Sequence, residues 1–187
     1  PPRLFVSAFS VAHKKRSDFS RRLRETTILR SAYPPNALRG LSTMYKDIYN
    51  EWLNDKTLTA EEAEELNSIK DDEKQIEYRF GKDLEFGTAG MRGIIGLGTN
   101  MINVYTVRRA TQGLADYVKS LGKKAIRRGV VISYDTRRKS YDFAYNAAVV
   151  LATNGIKTYL FTKEHPVPML SYATRKLKAC AGIMITA

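Results

Sequence analysis

With 187 residues, 43% of them hydrophobic and 27% charged, the chain can bury a core of ordinary size and reads as one globular domain or one domain with an appendage. A single cysteine, Cys180, excludes an intramolecular disulfide framework, and no apolar run of about 18 residues marks a membrane span, so a soluble, reducing compartment such as the cytoplasm is expected. The formal net charge of +12 keeps nucleic acid, anionic membrane surfaces and phosphorylated substrates in view, but residues 1–43 carry nine Lys/Arg against only Asp18 and Glu25, so the charge says little about the remainder.

The opening segment, residues 1–43, is rich in Arg and Ser and ends in the breakers Tyr33-Pro34-Pro35-Asn36 and Gly40. Its bias is that of a transit peptide or of a tail added by a wrongly assigned start, and it is expected to lie outside the fold. Residues 44–80 read as a helical preface. Tyr45, Ile48, Tyr49, Trp52 and Leu53 recur at helical spacing, and Thr59-Ala60-Glu61-Glu62 is a capping-box pattern that opens a second helix.

Residues 81–187 alternate between β-rich runs and helical periods. Strands are predicted over 93–97, 130–134, 158–161 and 181–185, and helices over 107–121, 141–153 and 169–177. Val107, Ala110, Thr111, Leu114, Val118 and Leu121 share one helical stripe, and Phe143, Ala147, Val150 and Leu151 another. Short apolar strands between such helices imply an α/β domain with a mixed, partly parallel sheet covered by helices on both faces. Cys180 opens one of these apolar runs and reads as a small buried thiol.

Ligands of such sheets bind at the carboxyl ends of the strands, which is where Asp135-Thr136-Arg137 and the residues around Ala187 fall. The most unusual segment is Phe86-Gly87-Thr88-Ala89-Gly90-Met91-Arg92-Gly93, three glycines with a hydroxyl and a guanidinium in what reads as a loop before a strand. Glycines let backbone N–H groups approach phosphate oxygens, Thr88 adds a donor, and Arg92 offers a planar fork; a plain turn with a surface Arg would look the same. It is neither a Walker A loop nor a dinucleotide fingerprint. Around Asp135, a turn stapled by that carboxylate, with Ser140 also able to bond backbone amides, explains the residues as well as a ligand does. His165, between Lys163-Glu164 and Pro166-Val167-Pro168, reads as part of a rigid connection, and neither a triad nor a metal cluster is evident.

Four segments in order, Gly81 to Gly93, Tyr134-Asp135-Thr136-Arg137, Pro166-Val167-Pro168-Met169-Leu170 and Gly182-Ile183-Met184-Ile185-Thr186-Ala187, resemble the α-D-phosphohexomutases. The likeness is closest to the branch of phosphoglucomutases and phosphopentomutases, is strengthened by Tyr105 to Gly113, and spans Met44 to Ala187. The resemblance implies the first of four domains, ending before the family's Ser-His-Asn-Pro, whose serine carries the phosphoryl group and would stand immediately after Ala187. It further implies phosphoryl transfer on a sugar phosphate through a bisphosphate, with Mg²⁺ and a sugar bisphosphate activator needed by the whole enzyme and neither held by this piece alone. Arg92 matches the family's first-domain arginine; Thr88, Gly90 and Arg137 are further phosphate-binding candidates, and no metal ligand is assigned. The expected partners are the sugar phosphate and the remaining domains of the same chain, with no specific nucleic acid and no membrane.

Two other readings are compatible with the residues. A catalytically dead interaction domain would keep the scaffold without the chemistry. A basic nucleic-acid module would use Gly87-Thr88-Ala89-Gly90 as a KH-type loop together with Lys123-Lys124-Ala125-Ile126-Arg127-Arg128.

Overall fold

The computed structural model describes residues 3–9, 41–87 and 90–186. Three helices come first after the opening strand β1 (Arg3–Phe9): α1 (Leu41–Leu53), α2 (Ala60–Ser68) and α3 (Glu73–Phe80). A hairpin of β2 (Phe86–Gly87) and β3 (Gly90–Ile94) follows, then α4 (Val104–Ser120), α5 (Lys123–Arg128), β4 (Val130–Tyr134), α6 (Ser140–Thr153), β5 (Thr158–Leu160), α7 (Val167–Lys176) and β6 (Ala181–Thr186).

The strands form one sheet in the order β2-β3-β1-β6-β4-β5. Strands β6, β4 and β5 run parallel, while β1 is antiparallel to both β3 and β6, and β2 antiparallel to β3. Residue alternation assigns the two faces. Val130, Ile132, Ile183 and Ile185 join the core under α4 and α6, whereas Val131 and Met184 face Leu170 of α7. The expected mixed, partly parallel sheet with helices on both faces and a helical preface is therefore the observed architecture.

The preface has its own core of Tyr45, Tyr49, Leu66, Ile69, Ile76 and Phe80, closed by Leu97. It docks on the first turn of α4, where Trp52 meets Tyr105 edge-on at 5.1 Å. Glu65 ties it to the following segment, accepting from Arg79 Nη1 at 2.7 Å and from the Leu97 backbone N–H at 2.9 Å. Thr59 caps α2 through the predicted capping box. No helix among the described residues is long and apolar enough to cross a membrane.

Several elements differ from the sequence-based expectation. Residues 3–9 of the supposed tail form the central strand β1, and α1 starts at Leu41 rather than Met44; the tail's charge drew attention from the β-favouring Phe5, Val6 and Phe9. Residues 10–40 lie outside the described residues. The strand expected over 93–97 is instead Gly90–Ile94, because Phe86 and Gly87 pair with Met91 and Gly90 and pull the glycines into a hairpin. The chain then doubles back, with Ile102 N–H donating to Ile94 O and Gly96 N–H to Ile102 O, so Ile95 makes only an isolated bridge to Ile102 and Leu97 is β-like in composition only. Helices α3 and α5 were not anticipated, and α4 begins at Val104, where Asn103 forms a reciprocal cap with Thr106.

Candidate functional site

The carboxyl edge of the parallel strands collects most of the candidate residues. Strand β4 ends at Tyr134, and the Asp135 N–H extends its ladder by donating to Ile185 O at 3.1 Å. Asp135 then turns its carboxylate on both neighbours. Oδ1 accepts from Ser140 Oγ at 2.7 Å and from the Arg137 backbone N–H at 3.1 Å; Oδ2 accepts from Thr186 Oγ1 at 2.6 Å. Ser140 is fully buried at the start of α6, after Lys139 in the left-handed region at φ 64°. One carboxylate thus fixes the end of β6 and the β4–α6 turn together, and charge-assisted bonds of this kind are stronger than neutral ones.

Arg92 stands on β3, exposed, and not in a loop as the glycine spacing suggested. In register, Arg92 pairs with Phe5 and Phe5 with Thr186, so Arg92 and Thr186 occupy one row across the sheet. Directly opposed residues share a face, and two strand spacings put the two positions about 10 Å apart. The row lies on the face opposite Met91 and Ile185, which belong to the main core. Arg137 sits beyond the end of β4 with its Nε 3.6 Å from Asp135 Oδ2, a half-exposed guanidinium beside the anchored Thr186. Gly90 opens β3 at φ 99°, a conformation that a side chain would strain. Thr88 lies outside the described residues.

Two other candidates from the sequence fall elsewhere. The Gly87–Gly90 segment joins two antiparallel strands rather than two helices, so the KH-type reading of that loop fails. His165 is held by its own connection: its N–H donates to Tyr134 O at 3.0 Å, its Nδ1 lies 2.8 Å from Lys163 O, and its ring stacks on Phe161 at 4.7 Å. Among the described residues no three His, Cys, Asp or Glu side chains converge, and Asp135 already accepts three hydrogen bonds, so these residues do not make a metal site.

Sequence reasoning gave Asp135 the turn and missed its bond to Thr186. Those residues are 51 apart, and only the adjacency of β4 and β6 reveals the pairing. Cys180 is buried, and burial pushes its thiol pKa up despite the nearby Arg128. Burial also raises Tyr134, with Glu164 adding to the effect.

Chemically, the edge offers a guanidinium on β3, a second on the β4–α6 turn, and a strand end between them held by a partly buried network. That arrangement suits a multivalent oxyanion presented along the end of β6.

Comparison with known proteins identifies the family. The model of the phosphoglucomutase/phosphomannomutase alpha/beta/alpha domain I matches residues 83–187. A phosphoglucomutase of Staphylococcus haemolyticus is 44% identical over 111 residues, covering 59% of this chain and 20% of that protein. A phosphopentomutase of Mus musculus is 38% identical over 145 residues, covering 73% of this chain and 23% of its own length. A phosphoglucomutase of Staphylococcus aureus (strain USA300) is 39% identical over 149 residues, covering 79% and 25%. The chain therefore spans about a fifth to a quarter of the length of these curated relatives. No solved structure matches it. The family model covers more than half of the chain and every strand of the sheet except β1, and on that match the chain belongs to the phosphoglucomutase/phosphomannomutase family, of which it carries domain I.

Proposed function

We propose that this chain is the phosphate-handling first domain of a phosphosugar mutase, interconverting glucose 1-phosphate and glucose 6-phosphate or ribose 1-phosphate and ribose 5-phosphate in the cytoplasm. The observation that carries the reading is the row Arg92-Phe5-Thr186, which sets a guanidinium across from the end of β6. In the reaction a phosphoserine gives its phosphoryl group to the free hydroxyl of a sugar monophosphate. The resulting bisphosphate reorients and returns its other phosphate to the serine. In-line transfer needs positioning and charge neutralisation more than covalent help, so Arg92 would bind the equatorial oxygens while Asp135, through Thr186, fixes where β6 delivers the residues that follow.

No Ser-His-Asn-Pro occurs in the 187 residues, so the phosphoryl-carrying serine is assigned to sequence outside them. The magnesium ion is assigned there as well, since the residues described here do not make a metal site. The other domains of the same protein and the sugar phosphate are the proposed partners, with a sugar bisphosphate as activator.

The test is a coupled assay of glucose 6-phosphate release from glucose 1-phosphate, and of ribose 5-phosphate from ribose 1-phosphate. The 187-residue polypeptide is expected to show no turnover, and the longer mutase containing it to be active on one of the two. Turnover by the polypeptide alone, purified free of other mutases, would overturn the assignment of the serine.

A further inference from the structure

Opposite the candidate phosphate site, the amino ends of the parallel strands form a second surface of distinct character. Three connections meet there and are tied to one another by two backbone hydrogen bonds and one from the Arg128 side chain. Lys157 N–H donates to Ile126 O, Cys180 N–H donates to Gly129 O at 2.8 Å, and Arg128 Nε donates to Lys178 O at 2.7 Å. Lys123, Lys124, Arg127, Lys157, Lys176 and Lys178 project from this seam, all exposed, and none forms an ion pair among the described residues. No Asp or Glu occurs in residues 117–134, 143–163 or 165–187, so nothing on these connections offsets the charge. Leu121 and Leu177, 40% and 44% exposed, stand within the same surface.

The other end of the molecule has the opposite sign. Ten of the chain's nineteen Asp/Glu lie in residues 51–77, against three Lys and no Arg. Part of that charge is used internally, as in the Lys46–Glu73 and Arg79–Glu65 pairs, but Glu61, Glu64, Asp71 and Glu77 are exposed and form no ion pair among the described residues. The preface docks on the first turn of α4 at Tyr105, which meets Trp52 of α1 edge-on and whose hydroxyl donates to Glu62 of α2 at 3.5 Å, whereas α5 leaves from the last turn of α4. A helix of 17 residues separates the two ends by about 25 Å.

We infer that the basic seam is an interaction surface for a second copy of this chain, received through the acidic face of α2 and α3. The complementarity is present within one polypeptide, and exposed leucines within the basic seam give such a contact something to bury besides charge. Because donor and acceptor surfaces differ, the association is head-to-tail and heterologous, and it extends beyond a dimer unless the rotation closes. It places no demand on Arg92, Asp135 or Thr186, so its failure leaves the phosphate-site reading untouched.

Sedimentation velocity of the full 187-residue chain tests the proposal. At about 20 mM salt, where charges act over about 20–30 Å, the sedimentation coefficient is expected to rise with protein concentration, and to stop rising at about 300 mM. K123E/K124E and E61K/E64K are each expected to weaken association about tenfold or more, with circular dichroism reporting that both remain folded. Mixing the two variants is expected to restore association, with the two species incorporated in equal amounts, because the reversed seam of one now faces the reversed helices of the other. A chain that stays monomeric at low salt overturns the inference. So does association that survives K123E/K124E, or reversed variants that fail to rescue each other. Binding of the wild type to phosphatidylserine vesicles or to polyuridylate, lost in K123E/K124E while the protein itself stays monomeric, would reassign the seam to another polyanion.

Discussion

Asp135 is held by groups on three sides, and its value can be separated from theirs. Replacing it with Ala leaves the buried Ser140 hydroxyl and the Thr186 hydroxyl without their acceptor, at a cost of about 2 kcal/mol. Thr186→Val removes only one bond and should cost about 1 kcal/mol, with the double variant less destabilised than the sum; urea melts of the four proteins measure the coupling. The opposite result is expected two residues earlier. Ser133 is fully buried with no partner for its Oγ, so Ser133→Ala should leave stability unchanged or raise it in the same melts. Cys180 gives a pH signature. Burial raises its thiol pKa in the folded state, so its contribution is fully present below the ordinary thiol pKa and is lost as the pH rises through the raised, folded-state value. A Cys180→Ala variant should lose this alkaline decline in melting temperature.

At the scale of elements, capping and turn geometry carry most of the predictive weight. Thr59→Ala removes the half of the capping box in which its hydroxyl accepts from the Glu62 N–H, leaves the backbone N–H of residue 59 on Glu62 Oε2, and should cost about 1 kcal/mol. Gly129→Ala should be far worse, more than about 2 kcal/mol, because φ is 75° and a Cβ there would lie 2.1 Å from Lys157 O; thermal melts distinguish the two. These two residues also show what sequence could reveal. Thr59 was legible because its partner Glu62 is three residues away, and the strands Val130–Tyr134 and Ala181–Thr186 because apolar runs keep their period regardless of what covers them. Helix α3 was not, since Glu73-Lys74-Gln75 and Tyr78-Arg79 leave only Ile76 and Phe80 as a buried stripe. The candidate site divides the same way. Arg92 and Asp135 were named from local pattern, but the register that sets Arg92 across from Thr186 depends on β1, which is supplied by residues that composition alone had set aside.

The whole molecule is a family domain with a preface clamped to one end of its long helix and a basic seam at the other. This layout separates the two proposals spatially: phosphate chemistry belongs to the carboxyl edge of the sheet, self-association to the amino edge and the preface. Salt should therefore weaken association without altering the melting of the Asp135 network, whose groups are partly buried and less screened. The curated relatives are four to five times as long as the part this chain matches. The most direct measurement of the central claim is the turnover of glucose 1-phosphate by the complete mutase with Arg92 replaced by Ala. A folded protein is expected whose kcat falls by about 10² to 10³, the usual loss when one donor to the reacting oxyanion is removed. Turnover close to that of the unmodified enzyme would remove Arg92 from the site and contradict its role in binding the transferred phosphate.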